Sequence, residues 1–191
     1  MRHAANPTAP GRIRGSRAPR AAAALAAVAA ACSGGGTPDA DRPDAMEVAG
    51  LVEIGTGTTA WQPLADGAEL PIEAGPQGGH HFIVHARARD ILPGDPSQPG
   101  LADNPLTRFE AWTTGDAPRQ VDMGVSEYQV GYEDGGDGYL YLTSGRLLFL
   151  TESEVEGLYG QPVRLTVHVR DAAGTASRDA AVVTAVRPPA P

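Results

Sequence analysis

"PVRLTVHVRDAAGTASRDAAVVTAV", residues 162–186, limits the possible folds more than any other stretch. Val163, Leu165, Val167 and Val169 alternate with Arg164, Thr166, His168 and Arg170, and in a strand residues two apart share a face. A helix would scatter these residues around its axis, so the period of two predicts a strand with one buried side. Asp-Ala-Ala-Gly at 171–174 then turns the chain back into a second apolar run, which makes the whole a β-hairpin.

The same rhythm recurs from Val48 to Val186. "LVEI" alternates at Val52 and Ile54, and "HHFIVHARAR" sets Phe82, Val84, Ala86 and Ala88 against His81, Ile83, His85, Arg87 and Arg89. "TRFEAWTT", "EYQVGY", "GYLYLTS" and "RLLFLT" follow at short intervals, and "TAWQPLADGAELPIEAG" reads as two short strands about Ala65-Asp66-Gly67. No stretch sustains a 3.6-residue apolar period. "TESEVEG" is read as a solvated strand edge with Glu152, Glu154 and Glu156 on one face. Eight or nine such strands must cover one another's apolar faces, which predicts an all-β, antiparallel sandwich of two sheets. A sandwich of this size buries a core without disulfides, in keeping with a body that contains no cysteine. The closing "LTVHVRDAAGTASRDAAVVTAV" resembles the final two strands of bacterial immunoglobulin-like surface modules. That resemblance implies an immunoglobulin-like β-sandwich over residues 47–188. The antibody Cys…Trp…Cys pattern is absent.

Ahead of this body the composition changes. Residues 1–20 carry Arg2, Arg12, Arg14, Arg17 and Arg20 and no acid, and the apolar run "AAAALAAVAAA" follows. A basic start, a short apolar core and small residues at the end form the pattern of a secretory signal peptide, assigned to residues 1–31. As a helix the run would reach only about 16 Å, too short for a hydrocarbon layer of about 30 Å. "AAAC" followed by "SGGGTPDADRPDA" resembles the lipobox of bacterial lipoproteins, although Ala29 stands where that pattern prefers Leu. The resemblance implies that Cys32, the sole cysteine, is lipidated and becomes the mature N-terminus. Residues 32–46 then form a flexible tether of the composition that cannot bury a core. Ser33 after the cysteine points, by the sorting pattern of enteric lipoproteins, to the outer membrane. The alternative is ordinary cleavage after Ala29–Ala31 and secretion. "PLADGAELPI" followed by "GPQGGHH" resembles uncharacterised surface lipoproteins of GC-rich predatory soil bacteria, a group that brings no activity with it.

The whole chain has a net charge of −8, and without residues 1–31 ten arginines face twenty-three acids, a charge of −13. Such a surface repels phosphate backbones and anionic headgroups. No nucleic-acid partner is expected, and contact with a membrane is expected through the lipid anchor alone.

Three of five histidines fall within residues 80–85. His81 and His85 share a strand face but stand four residues apart, roughly 13 Å along the strand at about 3.3 Å per residue. Two ligands of one zinc ion lie far closer together, each about 2.0–2.1 Å from the metal. The expected reading is therefore an outer face bearing His81, His85, Arg87 and Arg89, a candidate binding surface whose imidazoles would charge in mild acid. A cross-strand calcium, zinc or copper site using His85, His168, Asp134 or Asp137 is the alternative. "YEDGGDGYLYL" lacks the full calcium-loop pattern, however, and a Gly/Asp turn accounts for it. Trp61, Trp112, Tyr128, Tyr132, Tyr139 and Tyr141 are the aromatic platforms a glycan could use. The proline-rich stretch 91–106 is the first candidate for a functional loop. No nucleophile elbow, H-E-x-x-H or phosphate loop is present, so the expectation is a non-enzymatic envelope module without a cofactor. Its expected partner is an envelope protein or a glycan.

Overall fold

A computed structural model describes residues 47–57, 60–75, 79–142 and 146–189, the last stretch without the side chains of 146–149. Cys32, the leader and the tether lie outside the described residues. The strands in chain order are β1 (Val52–Thr56), β2 (Gln62–Pro63), β3 (Glu69–Pro71), β4 (Glu73–Ala74), β5 (His80–Ala88) and β6 (Leu106–Thr113). After these come β7 (Glu127–Gln129), β8 (Glu133–Asp134), β9 (Leu140–Tyr141), β10 (Arg146–Leu150), helix α1 (Glu152–Leu158), β11 (Pro162–Arg170) and β12 (Ala176–Val186).

The fold is all-β, a sandwich of two curled sheets. The first runs β2-β1-β5-β9-β8, with β4 and β10 also paired to β5. The second runs β3-β12-β11-β6-β7. β5 holds the first sheet together because both its edges are taken: Val52 lies opposite Ala88 on one side, and Leu148 opposite Phe82 on the other. β11 does the same in the second sheet, where Val167 lies between Asp179 of β12 and Phe109 of β6. Alternation decides which side chains meet. Val52, Ile54, Phe82, Val84 and Ala86 from one sheet, with Phe109, Leu165, Val167 and Val183 from the other, belong to a single buried cluster. Each large side chain taken fully from water contributes about 1.5–3 kcal/mol.

The predicted final hairpin is present over its full length, from Pro162 opposite Thr184 to Arg170 opposite Ala176. Its turn closes on buried Asp171, whose Oδ1 accepts from Thr175 N at 2.8 Å and whose Oδ2 accepts from Leu92 N at 2.9 Å. Gly174 takes the left-handed conformation the reversal needs, with φ +86°.

Four expectations change. There are twelve strand segments among the described residues instead of eight or nine, because several runs break into pieces of two or three residues. "TAWQPLADGAELPIEAG" does turn at Ala65-Asp66-Gly67, but its arms are not a hairpin: β2 joins β1 and β3 joins β12 in the opposite sheet. Nor are the sheets wholly antiparallel, since β3 runs parallel to β12 and Glu47 makes a parallel bridge to Ala176. The segment "ESEVEGL" is a helix, not a strand edge. Val155 and Leu158, three apart, face the core, while Glu154 and Glu156 turn outward to separate arginines, Arg119 and Arg187. No helix among the described residues is long and apolar enough to cross a membrane.

The chain also closes the edge of the second sheet that an isolated hairpin would leave open. Val48 N donates to Ala176 O at 2.8 Å, and the chain then crosses to the first sheet as β1. There Ser177 Oγ accepts from Val52 N at 3.3 Å and Asp179 Oδ2 from Ile54 N at 2.8 Å, so side chains of β12 satisfy the free edge of β1. Farther along, Asp66 Oδ1 accepts from Val182 N at 2.8 Å before β3 takes over the pairing.

Candidate functional site

β5 carries the histidine run on the first sheet, and His81, His85, Arg87 and Arg89 do share its outward parity. The face is less open than the sequence implies. His81 is only 6% exposed, and burial lowers its pKa from 6.5 against the raising effect of Glu73. Burial also lowers the pKa of His85, although the carbonyls of Gly57 and Leu142 pull the other way. The expected charging in mild acid is therefore opposed at both positions. Arg87 is held rather than free: its guanidinium lies 3.7 Å from the ring centre of Trp61 and 3.9 Å from that of Tyr139. Glu53 Oε2 accepts from its Nη2 at 2.6 Å, and Tyr139 Oη donates to Glu53 Oε1 at 3.0 Å. Arg89 is exposed and donates to Gly50 O at 3.3 Å.

The structure does not bring the metal candidates together. His85 lies on the outer side of the first sheet and His168 on the outer side of the second. Asp134 Oδ1 accepts from Gly136 N at 2.8 Å, while Asp137 accepts from Tyr139 N at 3.0 Å and Tyr141 Oη at 2.7 Å. Both carboxylates thus brace the turn between β8 and β9. Among the described residues no three His, Cys, Asp or Glu side chains converge as a metal site would require.

The loop 91–106 is packed onto the body. Buried Asn104 accepts from Asp95 N at 2.7 Å and donates to Gln98 O at 2.7 Å. Asp95 in turn accepts from Ser97 and Gln98, and Tyr132 N donates to Pro93 O at 2.8 Å. Apolar Leu92 and Leu101 remain exposed on it.

A concave polar surface lies elsewhere, on the outer face of β6, β11 and β12. It is a groove of about 770 Å³. The pairing register sets the residues of this face in rows: Arg108, His168 and Arg178; then Glu110, Thr166 and Ala180; then Trp112, Arg164 and Val182, of which all but Arg108 and Val182 line the groove. One wall is the turn after β6, where Thr113 N donates to Arg119 O at 2.9 Å and Thr114 Oγ1 to Pro162 O at 3.1 Å. Glu110 is the electrostatic centre. His168 Nε2 stands 3.7 Å from one of its oxygens, Trp112 Nε1 donates to it at 3.2 Å, and Arg108 Nε stands 3.2 Å from its other oxygen. With His168 first among these causes, and against the raising effect of burial, the carboxyl is held at a pKa of about 2. Arg178 pairs with Glu47 at 2.7 Å on the rim. Exposed Arg164, directly across from Trp112, has no ion-pair partner among the described residues.

Of the sequence candidates this groove takes in only Trp112 and His168. It adds Glu110, Arg164 and Arg178, whose signal was their outward parity in "TRFEAWT", "PVRLTVHVR" and "ASRDA". No protein family, curated protein or solved structure gives a match to this chain.

Proposed function

We propose that the chain is a non-enzymatic lipoprotein of a bacterial envelope, anchored through acylated Cys32 and tethered by residues 33–46, whose sandwich is a binding module. The observation that carries the binding reading is the groove over β6, β11 and β12, whose strand-built floor holds a half-buried tryptophan, a fixed carboxylate and an arginine with no ion-pair partner among the described residues. Sites built on strands hold their geometry better than sites on loops. The same chemistry favours binding over turnover. A proton carrier works best with a pKa near the working pH, whereas Glu110 is held at about 2 and already faces three donors. The anchor rests on "AAAALAAVAAAC" and the acid-rich, unpatterned stretch behind it.

Metabolic labelling with palmitate in the producing bacterium tests the anchor. Label is expected on the full chain and is expected to disappear in Cys32→Ala, with the variant moving from the membrane to the soluble fraction. Label retained in that variant, or absent from the parent, refutes the anchored form.

A further inference from the structure

We infer that the groove on the second sheet binds an acidic sugar, a carboxylate-bearing pyranose within a polysaccharide, stacked on Trp112 and ion-paired through Arg164; this rests on the reading of the groove as the binding surface. Three observations point the same way. The first is shape. The floor crosses three strands, roughly 10 Å at about 4.8 Å per strand spacing, and is open along its length, which suits a short run of linked rings better than an isolated small molecule.

The second is the side-chain chemistry. Trp112 keeps its Nε1 occupied by Glu110, so the part of the indole left to a ligand is its flat face. A large planar ring with its polar atom already satisfied contacts the C–H face of a pyranose without leaving a donor unpaired. Beside it the Thr114 hydroxyl donates to Pro162 O and keeps its acceptor side, and Glu110 is an ionised acceptor fixed in place before any ligand arrives. Such preorganisation reduces the ordering cost of binding.

The third is charge. Residues 47–191 carry nine arginines against twenty acids. Four of those nine, Arg108, Arg164, Arg170 and Arg178, lie with outward parity on β6, β11 and β12. Surface charges are screened beyond about 8 Å at physiological salt, so an anion meets this local group and not the net charge of the molecule. Arg108 is committed to Glu110 and Arg178 to Glu47. Of the other two, Arg170 does not line the groove, whereas Arg164 does; its guanidinium can grip a carboxylate through two parallel hydrogen bonds.

Titration calorimetry on the full chain in a non-ionic detergent, with EDTA present, tests this. The probes are tetragalacturonate and the neutral tetrasaccharide cellotetraose. Tetragalacturonate is expected to bind at least tenfold more tightly, and to weaken between 50 and 300 mM salt. Arg164→Gln, an exposed change, is expected to remove most of that preference, and Trp112→Ala to abolish binding of both sugars. Circular dichroism and the melting curve of each variant confirm that it is folded. Equal binding of the two sugars, lost in Trp112→Ala, overturns the acidic ligand but keeps the groove. Tetragalacturonate binding indifferent to both substitutions overturns the groove as well. No heat from either sugar with the parent protein overturns the sugar ligand outright.

Discussion

Glu110 shows how a single residue can be set by its neighbours across strands. Its carboxyl is held at about 2 against a usual 4.5, so its stabilising contribution is complete above pH 4.5 and is lost as pH falls toward 2. The expected effect of Glu110→Gln is a loss of about 1 kcal/mol at pH 7, discounted because His168 and Arg108 keep about 30% of their side chains exposed. Denaturant titrations should show that difference shrinking between pH 4.5 and 2. His81 and His85 act at higher pH. Folding lowers both below 6.5, so the unfolded chain binds more protons and stability falls as pH drops below about 6.5. His85→Gln is expected to flatten that slope in melting curves taken between pH 7.5 and 5. The outward parity of these residues was legible in "HHFIVHARAR". Their desolvation was not, because the material that covers them, such as Glu73 of β4 opposite His81, comes from other strands.

At the scale of elements, the loop 91–106 and the helix α1 depend on long-range contacts. A Cβ added at Gly131 would collide with the Asp95 carbonyl and Pro96 nitrogen, so Gly131→Ala is expected to push the loop off the link between β7 and β8. Asn104→Ala leaves Asp95 N and Gln98 O without their partner and is expected to cost about 1–3 kcal/mol. Increased proteolytic nicking within 91–106 in both variants would check this, with the strand core still protected. Proline content marked the stretch as unusual but could not show Asn104 folding it inward. α1 was missed for a related reason. Seven residues hold only two core positions, Val155 and Leu158, too few for a 3.6-residue period to stand out from alternation.

Over the whole molecule, the two sheets are tied at the passage of β1 past β12. Asp179→Ala removes the acceptor for Ile54 N and is expected to cost about 1–3 kcal/mol, lowering the melting temperature by a few degrees for a domain of this size. The loss should appear as one cooperative transition shared by both sheets, since the bond spans them. A variant that melts in two steps would show that the sheets unfold independently.

The amino-acid sequence on its own determined the fold class, the final hairpin and the inward set on β5 and β11. Strand alternation is a local property: a period of two is written in neighbouring residues and needs no partner to be read. The tertiary structure alone decided that β3 runs parallel to β12, that the arms around Asp66 enter different sheets, and that Trp112 faces Arg164 beside Glu110. Strand order and register join residues distant along the chain, and period two is the same whichever strand lies alongside. The groove is therefore a product of register, and the sequence holds its residues without holding their adjacency.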